Sequence, residues 1–435
     1  MRSLSQGIAA VCLSVCLAQA AHGDNWPAWR GPYGNSACAE SNVPLIWGEQ
    51  RNRKFRTEIP GEGASSPVVW DDAIFVTSQD GESLLLLRIN RADGAVVWQR
   101  EVGRAKTPRE ASPGEQQFHE SHNLASPTPT TDGEIVVAAF GNGLTAAYDF
   151  DGNQLWQRDL QREYGRFSFR YGYATSPLLF DDVVISTCLH RDLTAASDTA
   201  AGAFLVAHDK QTGHMKWKTS RAPRSTGEGA EIYGTPALRK NAAGEVELVV
   251  MGAGLIDAYR PSDGVRVWSL AHRNGGRAVC SPTIVGESLI GMITTERLFL
   301  LDLPQQPNQE IQAILQSDYK WKAGSSVPET CSPVIWGDLL FTITDEGQVT
   351  CLDVTSGRRR WRNKLPGTYR ASPIVADGRV YFLNDAGLCT VIAASARFGR
   401  LAENQIQDRT LASIAISNRE LFIRGDGALH CITRY

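Results

Sequence analysis

The chain has 435 residues and a formal net charge of −3, from 44 basic and 47 acidic side chains. So balanced a charge creates no field for a polyanion, which argues against nucleic acid as a partner. Length alone would accommodate two or three ordinary domains, yet one repeat runs along the chain, and its 40 glycines are as plentiful as strands punctuated by tight turns require.

The N-terminus reads as an export signal over residues 1–23. Arg2 supplies a short basic region, and residues 8–18 form an apolar stretch of signal-peptide length. Cleavage fits after Ala18-Gln19-Ala20 and equally after Ala21-His22-Gly23. The stretch falls short of the ~20 residues that a permanent membrane span needs, so the mature chain is expected to have no transmembrane segment. Leu13-Ser14-Val15-Cys16 approaches a lipobox, but valine before the cysteine fits poorly, and lipoprotein anchoring is not expected. The expected address is the periplasm or the extracellular space. An extension over 24–52 follows, then an isolated strand over 53–59.

From there one phrase recurs eight times. A Ser-Pro or Thr-Pro pair opens a β-rich stretch that usually ends in Gly-x-x-x-Trp. The openings are Ser66-Pro67, Ser126-Pro127, Ser176-Pro177, Thr235-Pro236, Ser281-Pro282, Ser332-Pro333 and Ser372-Pro373, with a degenerate eighth at Ala412-Ser413. The prolines lie 40 to 60 positions apart, which is propeller-blade spacing rather than that of a helical solenoid. Within the sixth repeat, turns at Gly337-Asp338, Asp345-Glu346-Gly347 and Ser356-Gly357 divide four strands. Proline suits the start of an innermost strand, whose channel-facing edge needs no ladder bond. The closing Trp98, Trp156, Trp217, Trp268, Trp321 and Trp361 fall on outermost strands, where a broad ring fills the wedge between blades. The last repeat has only three strands, and strand 53–59 is expected to supply its fourth. The prediction is an all-β, eight-bladed propeller over 53–435, with four antiparallel strands per blade.

Connections on one face are long after blades one to three, at 99–125, 157–175 and 218–234, and the turn at 190–203 is extended on the same side. Long loops on a rigid scaffold are where binding is usually built. In the second of them Arg162, Tyr164, Arg166, Phe167, Phe169, Arg170, Tyr171 and Tyr173 interleave base and aromatic, as interfaces favour; the alternative is that the aromatics tuck the loop onto the propeller. His119 and His122, also on this face, have ligand-like spacing without a third ligand nearby. Asp149-Phe150-Asp151-Gly152-Asn153 resembles part of a calcium loop but falls where every blade places a turn. Seven cysteines lie beyond the leader, an odd number without paired spacing, and read as buried free thiols; a Cys280–Cys331 bridge between neighbouring blades is left open.

Leu352-Asp353-Val354-Thr355-Ser356-Gly357-Arg358-Arg359-Arg360-Trp361, and Ala207-His208-Asp209-Lys210-Gln211-Thr212-Gly213 with Trp217, resemble the tryptophan-docking repeat of pyrroloquinoline quinone (PQQ) enzymes and their relatives. Trp26-Pro27-Ala28-Trp29-Arg30-Gly31-Pro32 is similar to the opening of planctomycete-type exported proteins of this class. The resemblance implies a quinoprotein-like fold and two kinds of role. Quinone-dependent alcohol and sugar dehydrogenases use PQQ with calcium or a lanthanide, a carboxylate base and, in the alcohol enzymes, a vicinal cysteine pair. Non-catalytic propellers include the propeller lipoprotein of the outer-membrane assembly machinery. This chain has no Cys-Cys pair, and inner strands such as 66–70, 281–285 and 372–376 carry no Asp or Glu. No catalytic residue is therefore transferred and no cofactor is expected. The expected role is a monomeric exported scaffold that binds an envelope protein or glycan through the loop face of blades one to four. A PQQ- and calcium-dependent dehydrogenase is the alternative, and a sensor for a small ligand in the serine- and threonine-lined channel is a third class.

Overall fold

The computed structural model describes residues 25–110, 116–188, 203–272, 275–308, 310–324 and 327–434. The leader over 1–23 and most of the turn at 190–203 lie outside these residues. Eight antiparallel sheets follow one another around a ring, each with its first strand innermost. Blade one (Val68–Trp70, Ala73–Asp80, Ser83–Asn90, Val96–Arg104) shows the plan. Its second and third strands are buried almost throughout, because both faces pack against neighbouring blades. The fourth alternates inward and outward residues, having one face in solvent. Blade four adds a fifth strand, Ile311–Ala313, parallel to its outermost strand.

The last sheet closes as its three C-terminal strands require. Arg53–Glu58 pairs antiparallel with Ala428–Ile432 and completes blade eight. A buried ion-pair group then ties this blade to blade one: Glu420 accepts from Arg91 Nε at 2.8 Å and from Lys54 Nζ at 2.7 Å.

Two hydrogen-bond systems run across the blade boundaries. On the outside, five indole N–H groups reach the next blade's third turn: Trp98 to Phe150 O, Trp156 to Lys210 O, Trp217 to Pro261 O, Trp321 to Val354 O and Trp361 to Ser395 O, at 2.7–3.0 Å. The turn glycine beneath the ring explains the Gly-x-x-x-Trp spacing. At Gly264, with φ at 69°, a Cβ would sit 2.3 Å from the Trp217 ring. Trp268 differs, since it donates to Glu247 within its own blade, while Arg239 carries the link to Pro304 O of blade five at 2.5 Å.

On the inside, the backbone N–H that opens the inner strand of blades one to seven donates to a hydroxyl of the next blade. The links run Ser66 to Thr128, Thr128 to Ser176, Ser176 to Thr235, Thr235 to Ser281, Ser281 to Ser332, Ser332 to Ser372, and Ser372 to Ser413, all at 2.9–3.1 Å. This belt corrects the sequence reading of blade two. Its opening pair is Thr128-Pro129, not Ser126-Pro127, because Ser126 Oγ is spent on Asn123 O at 2.8 Å in the preceding loop. All seven described cysteines are free and buried; Cys280 Sγ lies 3.2 Å from Cys331 O rather than in a disulfide.

A Ser332→Ala exchange removes the acceptor of the Ser281 N–H and leaves a buried donor unpaired, at a cost of about 1–3 kcal/mol. Ser66 Oγ has no protein partner among the described residues, so Ser66→Ala is neutral or slightly stabilising. Urea unfolding of both variants checks this, and equal losses would remove the belt as the cause.

Candidate functional site

The extension before blade eight does not hang free. Trp26 exchanges two backbone hydrogen bonds with Val69 of blade one. Trp29 Nε1 donates to Ser281 Oγ of the belt at 3.0 Å. Arg30 lies fully inside the channel, where it donates to Thr283 Oγ1 at 3.0 Å and to Pro333 O at 2.6 Å. Burial lowers Arg30 to about 10, so it stays charged at neutral pH among these oxygens. The chain then pairs with Val375 through Ser36 and Cys38, and Tyr381 donates to Pro44 O at 3.0 Å. The segment thereby floors the channel from the side opposite the long loops.

Above that floor a funnel of about 430 Å³ opens on the loop face. Its base is Trp29 and the belt hydroxyls; its wall includes Tyr171, Tyr233, His119, His122 and two charged groups. In the first of these Arg277 pairs with Glu329 and, at 3.4 Å, with Glu228, and its guanidinium lies 5.5 Å from the Tyr171 ring centre. In the second Arg370 pairs with Asp345, which also accepts from Thr330 Oγ1 at 2.8 Å. Sequence reasoning missed Trp29, Arg277, Glu329, Asp345 and Arg370. Arg277 and Arg370 precede their Ser-Pro openings by only four and two positions, and that offset was the available signal.

The interleaved loop resolves into two populations. Phe167, Phe169 and Tyr173 point inward and form a cluster with Leu160, Cys188 and Phe204. Phe169 and Tyr173 thus anchor the loop instead of facing a partner, since each aromatic surface is already covered by blade three. Tyr164, at the end of the short helix Leu160–Tyr164, is half-buried, and its hydroxyl meets His208 Nε2 at 3.0 Å. Arg162, Arg166 and Arg170 are exposed. Arg170 pairs with Glu228 at 2.8 Å, and Tyr171, half-buried at the funnel lip, donates to the same carboxylate at 3.1 Å.

The two histidines of the preceding loop come to the funnel wall but do not converge as ligands. His122 Nε2 donates to Tyr171 O, and its Nδ1 faces Ser126 Oγ at 3.2 Å; His119 Nδ1 accepts from the Ser121 N–H. No group of three metal-ligating side chains forms among the described residues. Calcium beside a quinone would need uncommitted carboxylate oxygens. The carboxylates facing the funnel, Glu329 and Asp345, already hold guanidinium groups, so this donor set does not fit the ion and no reaction step is derived through the quinone. Asp149 likewise spends its carboxylate on Asn153, at 2.8 Å to the backbone N–H and 2.8 Å to Nδ2, as a turn residue.

A family model described as outer membrane protein assembly factor BamB matches residues 49–203 and 307–429. The outer membrane protein assembly factor BamB of Yersinia pestis is 23% identical over 310 residues, covering 70% of this chain and 73% of that protein. Among solved structures, BamB from Moraxella catarrhalis has a TM-score of 0.57 at 14% identity, over 87% of this chain and 100% of that one. Quinohemoprotein alcohol dehydrogenase from Comamonas testosteroni has a TM-score of 0.65 at 11% identity, over 94% and 80%. At these identities the two structural likenesses show the fold alone.

Burial lowers His122, His208 and His272 from 6.5 to about 4. The unfolded chain takes up these protons first, so stability is complete above about pH 6.5 and falls as pH drops toward 4. His122→Gln is expected to flatten that acid-side slope by the share of one proton. Urea unfolding at pH 7, 5.5 and 4.5 checks it, and an unchanged slope would contradict the burial.

Proposed function

The chain belongs to the family described as outer membrane protein assembly factor BamB, and we propose that it is a non-catalytic, exported propeller scaffold of the cell envelope. On this reading the loop face of blades one to four holds an envelope protein or glycan. The chain works as a monomer, without cofactor or lipid anchor, in the periplasm or outside the cell. The supporting observation is the division of labour in the loop after blade two. Phe167, Phe169 and Tyr173 fix its backbone from below, while Arg162, Arg166 and Arg170 face solvent on top. A ridge held in this way loses little conformational freedom on binding, which favours affinity. Arginine is also a residue on which binding energy concentrates.

The dehydrogenase alternative draws no support from the funnel, where each carboxylate is ion-paired. Calorimetric titration with PQQ in calcium buffer is expected to give no heat. Stoichiometric binding at micromolar affinity or tighter, with dye reduction, would restore the enzyme reading.

A photoreactive residue placed at Arg166 or Arg170 is expected to cross-link to an envelope protein or glycan in the producing cell. The same residue at Arg397, exposed in a turn of the opposite face, is expected to give no adduct. Equal labelling from both faces, or none from either, would contradict the scaffold reading.

A further inference from the structure

The funnel has a chemistry of its own, distinct from that of the arginine ridge beside it. Thr128, Ser176, Thr235, Ser332, Ser372 and Ser413 all line it. Each spends one oxygen lone pair on a neighbouring blade's N–H. None has a protein acceptor for its own hydroxyl proton among the described residues. A hydroxyl carries one donor and two acceptor positions, so each still offers a donor and an acceptor to whatever fills the cavity.

The charges lining this ring cancel locally. Arg277 stands against Glu329 and Arg370 against Asp345, while Glu228, behind the lining, is shared by Arg277 and Arg170. An anionic or cationic ligand would have to open an ion pair to gain one, and would leave a partly buried charge unanswered. A neutral ligand with many hydroxyls meets no such cost, and can accept from the guanidinium edges while donating to the carboxylates. Trp29 at the floor, with Tyr171 and Tyr233 on the wall, supplies broad apolar surface for C–H faces. The cavity of about 430 Å³ is blind at the floor, and lies within the ~300–1,000 Å³ of small-molecule sites.

We propose that the funnel binds a neutral saccharide, either a free sugar or the terminal units of a glycan chain. The proposal rests on the scaffold reading and deepens it by naming the ligand class at the centre of the same face.

Saturation-transfer NMR and calorimetry on the purified chain test it. The probes are D-glucose, N-acetyl-D-glucosamine, maltotriose, triacetylchitotriose, D-glucuronate and PQQ. At least one neutral probe is expected to bind saturably, with glucuronate at least tenfold weaker. A monosaccharide that binds as well as its trimer identifies a free sugar, and a trimer at least tenfold tighter identifies a glycan end; both support the proposal. Trp29→Ala is expected to lower affinity at least tenfold. Trp29 also ties the floor to the belt, so Tyr171→Leu is the second variant, with a tenfold loss expected at an unchanged thermal midpoint. Three outcomes would overturn the proposal: no neutral probe binds at millimolar concentration, glucuronate or PQQ binds more tightly, or both variants bind as the parent does. Cross-linking from Arg166 is read separately, so its persistence alongside a failed sugar titration would discard the saccharide and leave the scaffold.

Discussion

The belt of inner-strand hydroxyls is the constraint on which the molecule depends. Every blade begins with a backbone N–H that faces the channel wall and must find an acceptor, because a buried donor left alone costs about 1–3 kcal/mol. In seven of the blades that acceptor is the serine or threonine of the next. Blades two to eight therefore each satisfy their predecessor, and the register of one fixes the register of the next. The outer indoles repeat the device at a larger radius, where the wedge between sheets is wide enough to need a ring. The last gap is met by Phe55, which occupies the tryptophan position of blade eight and packs on Gly94 of blade one.

The same atoms that hold the ring together form the base of the funnel, so on the saccharide proposal stability and recognition share one set of groups. The N-terminal segment turns a channel into a cup. Trp29 and Arg30 enter from below and bond to blades five and six, leaving the loop face as the open side. Above them, each carboxylate at the funnel wall carries a guanidinium partner. Such pairing leaves neither carboxylate uncommitted.

Much of the ring was legible because it is written locally. Turn dipeptides, Gly-x-x-x-Trp spacing and a missing fourth strand each report on neighbours in sequence. Blade two shows where local signals fail: Ser126-Pro127 and Thr128-Pro129 stand side by side, and only the hydroxyl's partner across the blade boundary separates them. In the loop at 157–175 the division between inward and outward residues was hidden for another reason. Its residue types suggested a binding surface, yet Phe169 and Tyr173 face inward while Arg166 and Arg170 face outward, and an irregular loop has no fixed period from which to read that division. The funnel's ion pairs join residues as far apart as Arg277 and Glu329, a separation at which sequence carries no pairing rule. The floor was missed because Trp29-Arg30 served as a family signature, and its place in the channel depends on the closed ring.

Hydrogen exchange of the purified chain, read over residues 25–47 and at the belt amides together, tests the closed cup most directly. Protection of both at the level of global unfolding is the predicted result, with the loop around Arg166 exchanging faster. Rapid exchange over 25–47 beside a protected belt would contradict it, because the channel would then be open at both ends and the funnel would have no floor.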